Sequence, residues 1–233
     1  MSALNIIQET DSVHLVTDGA QYALDGTVIG FRSKIAVLPR SQSIVAMRGR
    51  VPHVFPLLGM DQLDDFDLLA SRLGDYLRGT FQALRIVDPG SFADPSRKPL
   101  TQMEIVAAGW SAARDQPEVW GATTDPEEVG LFSGVPDVEP LQSVALPILA
   151  TSPGISLSAL FGTIESMVDI DRFDVGETAI AMLQAQRQQP FRVGAVDMFV
   201  VGGFGELGSV TRSGARVRRL LTWPDEVGQP IAG

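Results

Sequence analysis

The first fifty positions alternate between short apolar runs and polar links. Positions 3–8 and 12–17 are rich in Ile, Val and Leu, and Glu9-Thr10-Asp11 joins them. Two such runs with a short polar connection predict a β-hairpin. A third strand is expected at 34–38, after the turn-rich Asp25-Gly26-Thr27, and a fourth at 43–47, ending at Gly49. The period then changes. Leu63, Phe66, Leu69, Leu73, Leu77 and Phe81 recur at intervals of three and four, which predicts an amphipathic helix over 61–85. Asp61, Asp64, Asp65 and Asp67 crowd its first turn, where carboxylates suit the positive end of the helix dipole and read as capping rather than as a metal site.

Beyond a proline-rich stretch at 88–99, positions 103–110 and 118–123 predict strands around a turn at Asp115-Gln116-Pro117, with Trp110 and Trp120 as packing residues. Strands are further expected at 127–133, at 144–150, and at 196–201, 209–211 and 216–221. Helices are expected at 156–168 and 175–186. Gly202-Gly203-Phe204-Gly205 reads as a tight connection. No Lys-Ser or Lys-Thr pair and no long helix follow it, so it is not a phosphate loop.

Composition narrows the class. The chain has 233 residues, 45% hydrophobic and 20% charged, which suits one large domain over 1–233 with a full core. The net charge of -10 argues against nucleic acid, because no basic stripe is present to neutralise phosphates. Arg216, Arg218 and Arg219 form the single basic cluster and suit a strand edge or a subunit contact. There is no cysteine, so disulfides, thiol catalysis and thiolate metal sites are excluded together. With no signal-like segment and no run of 18 apolar residues, the expectation is a cytoplasmic protein without membrane association. His14 and His53 match no paired-histidine or hydrolase motif and read as structural.

Ser2, Asp18 and Lys34 are spaced sixteen residues apart, twice over. That interval is about one strand up, a turn and one strand back, so the three residues and Gly49 return to the same end of a sheet. The chain holds sixteen arginines but two lysines, Lys34 and Lys98. A lysine at 34 therefore suits a position needing a compact charge with a shiftable pKa, which arginine does not supply. Each residue also fits an ordinary role: Ser2 a terminal residue, Asp18-Gly19 a turn, Lys34 an edge charge.

The segments Leu15-Val16-Thr17-Asp18-Gly19-Ala20, Ser33-Lys34-Ile35-Ala36-Val37 and Ala46-Met47-Arg48-Gly49 resemble the proteasome-like branch of the Ntn-hydrolase superfamily. The resemblance implies a four-layer α/β/β/α sandwich of two mainly antiparallel sheets flanked by helices. It implies Ser2 as nucleophile once Met1 is removed, with the freed α-amine, of reference pKa about 8, as its base. Lys34 would favour the oxyanion and keep the amine neutral, and Asp18 would fix Lys34. The Gly49 N–H would donate to the oxyanion. Ser152, in the turn Thr151-Ser152-Pro153-Gly154, is the supporting serine by position, and a capping role fits it equally.

The implied substrate is a peptide or amide, with no cofactor and no metal. The implied partners are copies of the chain in a ring or stacked ring, and the family's unfoldase partner is left unassigned. One stretch departs from the pattern. An aspartate followed three residues later by a serine and a glycine is expected from the resemblance before the penultimate long strand, and the stretch 188–194, Gln-Gln-Pro-Phe-Arg-Val-Gly, carries neither acid nor hydroxyl. The alternative implied is therefore a catalytically inactive relative serving as a ring-forming or scaffold subunit.

Overall fold

The Glu9 N–H donates to the Ser12 carbonyl at 2.8 Å, closing the turn between β1 (Leu4–Gln8) and β2 (Ser12–Asp18) where the polar link predicted it. The computed structural model describes residues 2–23, 25–49, 57–93, 102–125, 131–132, 135, 138–147, 149–153, 174–193 and 196–232. Further strands are β3 (Ala20–Tyr22), β4 (Val28–Phe31), β5 (Ile35–Leu38), β6 (Ser43–Gly49), β7 (Met103–Ser111) and β8 (Gln116–Thr123). They are followed by β9 (Val144–Ala145), β10 (Leu149–Ser152), β11 (Phe191–Val193), β12 (Val196–Met198), β13 (Phe204–Thr211) and β14 (Gly214–Thr222). The described helices are α1 (Leu57–Met60), α2 (Phe66–Val87), α3 (Pro89–Ala93) and α4 (Val175–Arg187).

The result is a mixed α/β fold dominated by antiparallel sheets. One five-stranded sheet has the order β10-β1-β2-β13-β14, and the other runs β5-β6-β7-β8-β9. Strand alternation assigns the faces. Leu4, Ile6, Val13, Leu15 and Val210 of the first sheet share an apolar cluster with Ile35, Ile44, Ala46, Val106 and Ala108 of the second. The alternate residues pack outward. Met47, Ile105 and Ala107 meet Leu69, Leu73 and Leu77 of α2, while Ile7, Val16 and Leu207 meet Ala179, Met182 and Leu183 of α4. Leu69, Leu73 and Leu77 are fully buried, and each contributes about 1.5–3 kcal/mol by leaving water. A buried amide pair ties α4 to β1: Asn5 Nδ2 donates to Gln186 Oε1 at 2.9 Å, and Gln186 Nε2 returns a bond to Asn5 Oδ1 at 2.8 Å.

Several boundaries differ from expectation. α2 begins at Phe66 rather than 61, because Asp65 is extended (φ -131°, ψ 126°) and its carboxylate accepts the Asp67 N–H as an N-cap. Asp64 is engaged elsewhere, by Arg40 at 2.5 Å. The apolar run at 144–150 divides between the two sheets, β9 pairing with β8 and β10 with β1. The β3–β4 hairpin, where Ala20 pairs with Phe31, lies outside the expected elements, since its strands are too short to display a period.

The strand expected at 209–211 starts at Phe204, so the glycines at 205 and 208 belong to it, while the strand expected at 196–201 is the short β12, which ends at Met198. Glycine at these positions permits close approach of side chains: a Cβ on Gly205 would lie 2.5 Å from Leu183 of α4, and one on Gly208 2.7 Å from Ile44 of the facing sheet. Of the strand expected at 127–133, Leu131 and Phe132 form a buried turn and the rest lies outside the described residues. The helix expected at 156–168 and His53 also lie outside them. Among the described residues no helix is long and apolar enough to cross a membrane.

Candidate functional site

Asp18 ends β2, and its carboxylate is fully buried. Both oxygens are used twice. Oδ1 accepts the Ala3 N–H at 2.8 Å and Lys34 Nζ at 2.6 Å; Oδ2 accepts the N–H groups of Ala20 at 3.1 Å and Gly202 at 3.2 Å. Two carboxylate oxygens offer about four acceptor sites, so four donors saturate the group. The sixteen-residue interval therefore brings Lys34 and the residue after Ser2 onto one oxygen atom.

Lys34 precedes β5, and its charged side chain is 5% exposed. Burial pulls its pKa below the ordinary lysine value, the Asp18 charge and hydrogen bond push back, Arg48 lowers it and Glu206 raises it. The net direction is downward. A lysine so placed gives up its proton more readily than in water, and the Asp18 carboxylate opposes that loss.

Other polar groups gather at the same end of the sheets. Ser2 is half-buried, and its carbonyl accepts from Arg48 Nη1 at 3.3 Å. Arg48 also pairs with Glu104 at 2.8 Å; the two are cross-strand neighbours on β6 and β7, on the face that carries Ala46 and Val106 toward the other sheet. Thr17 and Glu206 are register partners on β2 and β13. Both are buried, and Thr17 Oγ1 and Glu206 Oε2 have no hydrogen-bond partner among the described residues. Tyr22 lies beside Ser2, and burial first, then the Asp18 charge, drives its phenol pKa strongly upward.

Gly49 closes β6 with φ +100°, the left-handed region that glycine occupies freely, and a Cβ there would sit 2.1 Å from the Gln102 carbonyl oxygen. It follows Arg48, which touches Ser2, so its backbone stands at the edge of the cluster. Ser152 is the last residue of β10 and pairs with Leu4, two positions from Ser2; its side chain, like Met1, lies outside the described residues. The arrangement therefore joins Asp18 and Lys34 directly, brings Ser2 in through the Ala3 N–H that follows it and through Arg48, and relates Gly49 and Ser152 by backbone position.

A second polar cluster occupies the opposite end of the first sheet. His14 Nδ1 is 2.9 Å from Ser209 Oγ, and its Nε2 is 3.2 Å from Glu9 Oε2 and 3.1 Å from Ser12 Oγ. The order serine–histidine–carboxylate is that of a nucleophile with its base. Ser209 is only 5% exposed, however, so the cluster latches the β1–β2 hairpin to β13 instead of presenting a nucleophile. His14 is structural, as its sequence context indicated. Among the described residues no three His, Asp or Glu side chains converge so as to hold a metal ion.

No protein-family model matches the chain, and no curated protein is significantly similar to it. The site must be read from its own atoms. Arg48, Glu104, Thr17, Glu206 and Gly202 are not singled out as site residues in the sequence, although one signal existed. Arg48 has the parity of Ile44 and Ala46, and a charge on the buried face of an apolar strand needs a partner. Gly202 had no such mark: its contribution is a backbone N–H, which every residue but proline carries.

Proposed function

We propose that this chain is an N-terminal-nucleophile hydrolase of the proteasome-like kind, cleaving peptide or amide bonds through Ser2 after removal of Met1. The reading includes a four-layer α/β/β/α sandwich, with α2 and α4 on the outer faces of the two sheets. One observation carries it: a single oxygen of Asp18 holds both the Ala3 N–H and the Lys34 ammonium, which fixes Ser2 beside a buried cation.

In this reading the freed α-amine takes the Ser2 hydroxyl proton as Oγ attacks the substrate carbonyl. Lys34 and a backbone N–H at Gly49 stabilise the oxyanion. The amine then delivers the proton to the departing amine of the substrate, and water, activated by the same base, hydrolyses the acyl ester and restores Ser2. The Asp18 carboxylate supports this role by opposing the downward pull of burial on Lys34, since a cation beside the amine favours the amine's neutral, basic form.

The intact mass of purified protein should correspond to loss of Met1, and an electrophilic probe for N-terminal nucleophiles should form one adduct, mapped to Ser2. Ser2→Ala should abolish labelling with the fold kept, and Lys34→Ala should slow it by about a hundredfold or more. A retained Met1 together with no adduct overturns the reading.

A second reading, a catalytically inactive ring or scaffold subunit, has one observation in its favour. With β13 beginning at Phe204, the residues before the penultimate long strand include an exposed Asp197 and Gly202-Gly203 but no serine. The hydroxyl that the resemblance implies there is missing. Self-association in solution without labelling would select this reading.

A further inference from the structure

The turn that reaches Asp18 is itself held from two directions. Gly202 sends its N–H to Asp18 Oδ2, and its carbonyl accepts the N–H groups of Ala20 at 3.0 Å and Gly19 at 3.2 Å. Next to it, the Gly203 N–H donates to Asp225 Oδ2 at 2.7 Å, and the Gly203 carbonyl accepts the Trp223 N–H at 2.9 Å. Asp225 is gripped in turn by Arg187, the last residue of α4, through two bonds, Nη1 to Oδ2 at 2.9 Å and Nη2 to Oδ1 at 2.7 Å. Arg187 Nη1 also donates to the Val201 carbonyl at 2.9 Å, and its guanidinium lies 5.0 Å from the Trp223 ring centre.

This pair is no surface decoration. Its side chains are 12% and 5% exposed, and two charges so withdrawn from water are tolerated where geometry satisfies both. Burial alone would push Asp225 up, but the Arg187 bonds, the Gly203 N–H and the Arg187 charge outweigh it and keep its carboxyl below the usual range. The fork grips residues 201 and 203, on either side of the glycine that donates to Asp18.

We propose that Asp225, with Arg187, is a positioning residue for the Ser2 site: it clamps the 201–203 turn so that Gly202 fixes Asp18, and Asp18 fixes Lys34 and Ala3. The catalytic consequence rests on the reading of Ser2 as nucleophile, whereas the link to Lys34 does not. Because the chain has two lysines, carbon-13 lysine labelling gives two titrating signals, with Lys98 as the internal reference. Among the described residues, the charged groups acting on Lys34 are Asp18, Arg48 and Glu206.

In Asp225→Asn, a loosened Asp18 no longer offsets burial, so the Lys34 midpoint should fall by about half a unit or more while Lys98 stays in place. The limiting rate of Ser2 labelling should drop about tenfold or more, with apparent probe affinity kept within about twofold. A purely structural role would lower the unfolding midpoint and leave both readouts unmoved in the folded protein. That result overturns the proposal. If wild-type Ser2 takes no label but the Lys34 midpoint still moves, the hydrolase reading fails and the clamp stands. Should Asp225→Asn not fold, Arg187→Lys, which keeps the charge and loses the two-pronged grip, is read in the same way.

Discussion

Lys34 and His14 are both buried bases whose pKa values lie below their ordinary positions, yet they differ in what burial leaves them. Lys34 has a fully buried carboxylate at 2.6 Å, whereas His14 has two serine hydroxyls and a part-exposed Glu9. For His14, burial lowers the pKa most, the Glu9 hydrogen bond and charge oppose it, and Arg216 and Arg218 lower it further. Between its folded pKa and the ordinary value of 6.5, the unfolded chain binds more protons than the folded one. Stability therefore falls as pH drops through that window and levels off below the folded pKa. Urea unfolding at about pH 7.5 and about pH 5.5 should register a larger loss for the wild type than for His14→Gln. An equal loss in both would remove His14 from the acid response. Both residues are visible in the sequence, but burial in the folded molecule sets the downward direction of each shift, and neighbours far along the chain adjust it, Glu206 opposing it at Lys34 and Arg216 adding to it at His14.

At the scale of elements, α2 is a test of local rules inside a packed fold. Its apolar stripe at intervals of three and four is legible in the sequence, and Leu69, Leu73 and Leu77 occupy it as the period requires. Its start is not, because four aspartates within seven positions all suit a helix N-terminus, and only the extended backbone of Asp65 singles out the cap. Asp65→Ala should cost about 1 kcal/mol, since the Asp67 N–H loses its acceptor. Gly79, on the exposed face of the same helix with nothing within 4 Å of where a methyl group would stand, should give the reverse. Gly79→Ala is expected to stabilise by about 0.5–1 kcal/mol. Thermal and urea midpoints of the two variants check both signs. The strands β3 and β4 are hidden for the opposite reason: at three and four residues they pair by tertiary contact, without a pattern long enough to read.

For the whole molecule, the decisive quantity is the separation of the two sheets, because Asp18 belongs to one and Lys34 precedes a strand of the other. Gly208 faces that interface, and a side chain there would meet Ile44 at 2.7 Å and Ile35 at 3.1 Å, one residue from Lys34. Gly208→Val should cost about 1–3 kcal/mol by overpacking, read as a lowered urea midpoint, and an unchanged midpoint would mean the interface relaxes freely. The sequence by itself determined the β-rich first half, the long helix and the interval that returns Ser2, Asp18 and Lys34 to one end, because periodicity and strand length are local properties. The tertiary structure alone decided that one Asp18 oxygen serves both Ala3 and Lys34, that the run at 144–150 splits between sheets, and that Asp225 holds the turn beneath the site. Those outcomes depend on hydrogen bonds and burial between residues as far as 184 positions apart, whose partners no local pattern specifies.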